Sequence, residues 1–268
     1  MTPSPLRAFR CLAREAVADA TRRRIVGVIA GMAILSLFFV DSCTSCSPRV
    51  VQNGRQVELS QVAGYGGLAL GVVLGLWTIV LAGVLAADHL AEPLADGSAQ
   101  LVLARPVSRT VFGLARLAGA LVLALATGAV LLGGTAVLLQ ARQGLTLGPA
   151  VVAWLACALG STTVAALAMT ASLALPRTAT ALLVVGGVWG LAGLELAAQL
   201  GAKLEGVSGL LVRAGPPLAA SLASAFGPWI APTATQGEPL ALAARSLAWA
   251  LASTGVLVVA LRRADLGG

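Results

Sequence analysis

The chain alternates long apolar stretches with shorter polar connections. Six of the stretches are predicted to be membrane-spanning helices, because about 20 apolar residues are needed to cross a hydrocarbon core of about 30 Å. The predicted spans are residues 25–40, 62–87, 112–139, 149–175, 180–198 and 240–261. No stretch between them has the composition of an interdomain linker, so the pattern predicts one all-α transmembrane domain over residues 1–268.

The residues before the first predicted span form a different pattern. Within residues 1–24, apolar residues recur at helical spacing and arginines occupy many of the positions between them. Such a pattern is typical of an amphipathic interfacial helix, which lies on a membrane surface instead of crossing it. The apolar residues of this repeat are Leu6, Phe9, Ala13 and Val17.

A second irregular region precedes the last predicted span. Residues 199–239 alternate short apolar runs with Gly215-Pro216-Pro217 and Gly227-Pro228. Proline and glycine interrupt helices, and non-helical backbone at membrane depth must be surrounded by protein or water. This outer segment is therefore predicted to contain short re-entrant or interfacial helices.

Composition and charge favour a membrane protein and exclude other classes. Apolar residues make up 58% of the 268 residues and charged residues only 11%, against about 25% charged residues in a soluble domain. A net charge of +7 would suggest a nucleic acid partner in a soluble protein. Here the basic residues flank the apolar stretches and form no stripe with aromatic residues, so we interpret them as topology signals and expect no nucleic acid partner.

The positions of lysine and arginine predict the orientation of the chain. If both termini are cytoplasmic, six of the 18 basic residues lie outside and the remaining twelve inside. Because cytoplasmic loops carry the excess of Lys and Arg, we expect a multi-pass protein of a bacterial inner or cytoplasmic membrane with both termini inside. The six outer residues are Arg49, Arg55, Arg142, Lys203, Arg213 and Arg245.

The connection between the second and third spans carries the most specific pattern. This linking segment, residues 88–111, begins with three acids spaced four apart and continues through a glycine turn into a short apolar helix. It ends in a basic block that reads Arg105-Pro106-Val107-Ser108-Arg109. Acids at such spacing share one face of a helix where Pro93 permits it. The three acids are Asp88, Glu92 and Asp96.

The linking segment resembles that of the permease subunits of ATP-binding-cassette exporters in the type-two (ABC-2) permease family. In layout the resemblance covers the whole chain, but in motif it covers only a small part, and His89 and Pro93 interrupt the acids where the family is often richer in glutamate. The matching stretches are Asp96-Gly97-Ser98, Leu101 to Arg109, Ala13-Arg14-Glu15, Arg22-Arg23-Arg24 and Arg262-Arg263-Ala264-Asp265-Leu266.

The resemblance implies that the linking segment couples this chain to a cytoplasmic ATPase. Its helices would dock into a groove on the ATPase, and closure of two ATPase subunits around ATP would switch the spans between inward- and outward-facing states. The other implied partner is a second permease copy or a related permease, as in a dimer. The competing interpretation is that the arginines only anchor an ordinary loop. The residues implied in coupling are Asp88, Glu92, Asp96, Gly97, Leu101, Arg105, Pro106 and Arg109.

ATP and Mg are expected on the partner ATPase and not on this chain. The sequence contains no Gly-x-x-x-x-Gly-Lys phosphate-binding loop, and Lys203 is its only lysine. We therefore expect that the chain is not an enzyme by itself. Arg105 and Arg109 are expected to matter more for coupling than for folding, because an arginine at the membrane interface can reach water or phosphate.

Two further patterns suggest packing or redox chemistry. Gly67, Gly71 and Gly75 form a smooth stripe on one face of the second span, which favours close helix packing, with a subunit contact as the alternative. Cys43 and Cys46 lie on the predicted outer face, where an oxidising compartment favours a disulfide over free thiols or a soft-metal site.

Four single residues complete the candidates. His89 is expected to be solvated or to face a partner, since a lone histidine builds neither a metal site nor a catalytic triad. Glu195 lies near the outer end of the fifth span. An ionisable group there is a functional candidate, with extension of the side chain to the interface as the alternative. Cys11 and Cys157 are expected to act as ordinary small apolar residues.

Three other functions remain open. A maturation or metal-handling transporter acting with a periplasmic protein is suggested only by the two outer cysteines. A secondary transporter would require paired ionisable residues at mid-membrane and an inverted repeat, and the sequence shows no clear sign of either. A membrane assembly factor that only recruits partners would leave the pattern of the linking segment unexplained.

Overall fold

The protein is a bundle of α-helices. The computed structural model describes residues 5–22, single positions between 31 and 42, and residues 51–52, 55–56, 59–95, 108–230 and 239–263. A short antiparallel hairpin pairs Val51–Gln52 with Arg55–Gln56, and a 3₁₀ turn covers Gly227–Trp229. The helices are α1 (Pro5–Arg22), α2 (Leu59–Ala95), α3 (Arg109–Gln143), α4 (Gly148–Ser172), α5 (Arg177–Gln199), α6 (Gly206–Ala214), α7 (Leu218–Phe226) and α8 (Pro239–Arg263).

Five of the described helices are long and apolar enough to cross a membrane. They are α3, α4, α5 and α8 in full, together with Tyr65–Leu90 of α2. These helices coincide with the second to sixth predicted spans, which confirms the helical, multi-pass architecture. Most of the first predicted span, residues 25–40, lies outside the described residues.

Local chemistry explains where several helices begin and end. The Ser108 hydroxyl caps α3 by accepting a hydrogen bond of 3.3 Å from the backbone N–H of Val111. The same helix ends at Gly144, whose φ of 70° is left-handed and favours glycine. Pro149 lies in the first turn of α4, and Pro176 immediately precedes α5. Proline is tolerated there because the first N–H groups of a helix have no intrahelical partner.

Contacts between helix termini define two ends of the bundle. Asp88, near the end of α2, pairs with Arg177 at the start of α5. Gly113, near the start of α3, packs against Leu261 at the end of α8. We call this the basic end, because it gathers most of the described cationic side chains. Those residues are Arg109, Arg116, Arg177, Arg262 and Arg263, together with Arg7, Arg10 and Arg14 of α1.

Helix α1 packs on α3 at the basic end, and Phe9 and Ala13 of the apolar repeat lie partly buried against the core. Leu12 and Ala16 are its buried residues, whereas Leu6 is 61% exposed. The reason is Gly119 on α3, where a methyl group would lie only 2.7 Å from the Cβ of Ala16. The missing side chain lets the two helices approach closely, and the buried stripe of α1 therefore centres on Ala16.

Candidate functional site

The linking segment leaves the bundle at the basic end. Helix α2 continues beyond its apolar part to Ala95, so Asp88 and Glu92 both belong to a helix, and α3 starts again at Arg109. The side chain of Glu92 lies outside the described part of the chain. Five of the residues implied in coupling are also outside it, namely Asp96, Gly97, Leu101, Arg105 and Pro106.

Asp88 is held by an ion pair within the bundle. Arg177 places its Nε 2.6 Å from Oδ1 of Asp88, and its Nη2 donates a hydrogen bond of 2.7 Å to Oδ2. This two-point geometry matches a planar guanidinium to a carboxylate and joins the end of α2 to the start of α5. The Asp88 side chain is 13% exposed and that of Arg177 is 55% exposed. Arg177 is thus the partner of the first acid in the linking segment.

We expect the Asp88–Arg177 pair to contribute little to stability. Because half of the arginine side chain is exposed, solvent screens the attraction, and a double-mutant cycle with Asp88→Ala and Arg177→Ala should give a coupling free energy below about 1 kcal/mol. Unfolding of the four proteins in detergent by increasing denaturant measures this quantity. A coupling free energy above about 2 kcal/mol would show instead that the ion pair contributes substantially to holding α2 and α5 together.

His89 is buried, which corrects the expectation that it is solvated or faces a partner. Its exposed fraction is 7%, and the neighbouring Leu90 is completely buried in the core formed with Leu12 and Phe112. Helix α3, which contributes Phe112 to this core, packs against both α1 and α2. A histidine ring has an apolar body that tolerates such a position when its polar atoms are satisfied.

Arg116 is a buried cation that the sequence reasoning treated only as a topology charge. It is 6% exposed, and its guanidinium carbon lies 5.4 Å from the centroid of the Phe112 ring. The two residues are four apart on α3, which is the helical spacing for neighbouring side chains. That spacing was the available signal for a cation–π contact.

The opposite end of the bundle carries a second polar cluster, centred on Glu195. This residue lies on α5 and is only 4% exposed. Its Oε1 accepts a hydrogen bond of 3.1 Å from the backbone N–H of Leu218, and its Oε2 accepts one of 2.7 Å from Ala220. Glu195 therefore caps the N-terminus of α7, and its side chain does not extend to the interface, which was the alternative considered from the sequence.

Arg245 and Trp249 of α8 bind the C-terminal end of α6, just before the Gly215-Pro216-Pro217 break that separates α6 from α7. The guanidinium of Arg245 donates to the carbonyl oxygen of Val212 at 2.6 Å and also to that of Gly215. The indole Nε1 of Trp249 donates to the carbonyl oxygen of Ala214 at 2.9 Å. These carbonyls belong to the last turn and C-cap of α6, where no intrahelical donor is available.

We call the three side chains that make these contacts, those of Glu195, Arg245 and Trp249, the outer clasp. The break at Gly215-Pro216-Pro217 exposes the carbonyls of α6 and the N–H groups of α7 close to each other. An anion at a helix N-terminus and a cation at a helix C-terminus both complement the helix dipoles. The sequence identified Glu195 as a candidate but assigned Arg245 only to topology, because the partner groups are backbone atoms of a distant segment.

The glycine stripe of α2 receives bulky side chains from α7 and the 3₁₀ turn. A methyl group placed at Gly71 would lie 2.5 Å from the Phe226 ring, and one at Gly75 would lie 2.8 Å from Leu222. At Gly67 the nearest atom is 3.1 Å away, in Trp229. The short helix α7 of the outer segment therefore packs against the glycine stripe.

The described residues offer little other chemistry. Within them, no group of three or more His, Cys, Asp or Glu residues is arranged to hold a metal ion. Cys157 is buried, as expected of a small apolar residue, but Cys11 is exposed on α1. Cys43 and Cys46 lie outside the described residues. No family model matches the chain, and no curated protein is significantly similar to it.

Proposed function

We propose that the chain is the membrane-spanning permease subunit of an ATP-binding-cassette exporter, driven by a separate cytoplasmic ATPase. The observation that carries this proposal is the linking segment. Its ABC-2-like sequence connects two long apolar helices at the end of the bundle where the described basic side chains gather. By the positive-inside rule that end faces the cytoplasm, where an ATPase has access to it.

Helix α2 offers a mechanical path across the bundle. One end of this 37-residue helix leads into the linking segment, and its glycine stripe at the other end seats α7. A helix transmits displacement along its axis because its backbone hydrogen bonds make it stiff. Movement imposed on the linking segment by ATPase closure would therefore shift α2 relative to α3 and α5 and reach the outer segment through Gly71 and Gly75.

Cysteine crosslinking tests the proposal. In a cysteine-free background co-expressed with a candidate partner ATPase, Gln100→Cys in the linking segment should crosslink to cysteines introduced around the expected docking groove. Lys203→Cys, at the opposite end of the bundle, is the matched control and should give no ATPase crosslink. Crosslinks at position 203 without any at position 100 would contradict the proposal.

The alternative functions gain no support from the geometry. The metal-handling alternative depends on Cys43 and Cys46, which are not described. A secondary transporter would use an intramembrane acid to bind a coupling ion, whereas Glu195 directs both carboxylate oxygens to backbone N–H groups.

A further inference from the structure

The face of α1 that points away from the bundle carries a compact basic patch. Arg7, Arg10 and Arg14 are all exposed. Their spacing of three and four residues puts them side by side on the helix surface. Leu6, one turn before Arg10, is 61% exposed and borders the patch. We call these four residues the α1 patch.

The opposite side of α1 is already occupied by protein. Leu12 and Ala16 are buried, and Ala16 fits against Gly119 of α3. The helix therefore does not lie on the membrane through its main apolar stripe, as a free amphipathic helix would. The exposed surface of α1 that remains includes the three arginines and Leu6 beside them.

The helix itself does not neutralise the patch. A carboxylate three or four residues away would lie next to each arginine, but those positions hold no acid in this sequence. Glu15 is exposed and follows Arg14 directly, so it lies about 100° further around the helix. Three positive charges are thus presented together, with no acid of α1 at a neighbouring helical position.

We propose that the α1 patch binds the phosphate groups of anionic phospholipids. The patch lies at the basic end, on a helix packed against the terminal part of the span α3. There Leu6 can enter the acyl boundary while the guanidinium groups remain at headgroup level. A guanidinium donates two parallel hydrogen bonds to a phosphate, and anionic lipids concentrate on the cytoplasmic side of membranes. This inference does not depend on the proposed transport function.

Reconstitution of the full-length protein in nanodiscs tests the proposal. Phosphatidylcholine is the bulk lipid and phosphatidylglycerol is the titrated lipid. The protein should retain phosphatidylglycerol in native mass spectrometry, and its melting temperature should be higher with phosphatidylglycerol than in phosphatidylcholine alone. The double variant Arg10→Gln/Arg14→Gln should lose about fivefold in phosphatidylglycerol affinity for each charge removed. The matched control Lys203→Gln/Arg213→Gln removes two exposed charges at the opposite end and should leave the affinity unchanged.

Two further measurements separate lipid binding from a folding defect. Arg10→Lys/Arg14→Lys keeps both charges and should retain most of the preference, and rising ionic strength should weaken the preference of the unaltered protein. Equal affinity of that protein for the two lipids, or a preference that survives in the glutamine variant, would overturn the proposal.

Discussion

Replacing Glu195 by alanine is expected to lower the free energy of unfolding by about 3–5 kcal/mol. The change removes the acceptor of two backbone hydrogen bonds. The N–H of Ala220 loses this acceptor, whereas that of Leu218 keeps its hydrogen bond of 2.9 Å to the carbonyl oxygen of Pro216. A buried donor without a partner costs about 1–3 kcal/mol, and hydrogen bonds to a charged group are among the strongest. Titration of the detergent-solubilised protein with denaturant measures the change.

Two comparisons make the Glu195 experiment specific. Glu195→Gln keeps one carbonyl acceptor and should lose only part of the stability, whereas Glu205→Ala removes an exposed acid that makes no side-chain cap and should have little effect. Hydrogen exchange should become faster at the first turn of α7 in the alanine variant, because that turn loses its cap. Unchanged exchange there, together with unchanged stability, would show that the outer clasp does not hold the short helix.

Replacing Gly71 by leucine is expected to destabilise the protein by about 2 kcal/mol or more. Even a methyl group at this position would approach the Phe226 ring to 2.5 Å. The ring has little freedom to move because it is buried and lies 4.7 Å from the Trp229 ring, measured between centroids. Overpacking of a close-packed core costs about 1–3 kcal/mol, and the better helix propensity of leucine offsets at most about 1 kcal/mol.

The matched control is Gly186→Leu on α5. No atom lies within 4 Å of a methyl group placed there, so this variant gains helix propensity without a clash. It should unfold at the same temperature as the parent or at a higher one. In a background with the other four tryptophans replaced by phenylalanine, the fluorescence of Trp229 should change in Gly71→Leu and remain the same in Gly186→Leu. Similar losses in both variants would mean that glycine is required for a reason other than its contact with α7.

These two positions show how the outer segment is integrated into the bundle. Its helices α6 and α7 are only nine residues long, too short to be stable in isolation. Side chains of α5 and α8 satisfy the backbone at the Gly215 break, while α2 provides a glycine surface for the apolar face of α7. The segment is therefore stabilised by three of the spans, α2, α5 and α8.

The sequence by itself determined which stretches become the five described spans. Their length and apolar character follow from the requirement that every backbone group be satisfied within a helix in lipid, and this requirement is local. Glycine and proline likewise marked the break between α6 and α7 at Gly215-Pro216-Pro217. The presence of α1 was predictable for the same reason, because its period of apolar residues is contained in its own 18 residues.

Only the tertiary structure decided which groups meet across the bundle. Asp88 pairs with Arg177, and Glu195 caps α7, although the partners are distant in sequence. His89 is likewise buried. Ala16 is among the most buried residues of α1 because Gly119, 103 positions later in the chain, lets α3 approach that side of the helix. Periodicity fixes the residues that share a helix face, but the partner of that face depends on packing between helices, and packing is a property of pairs of surfaces that no single segment encodes.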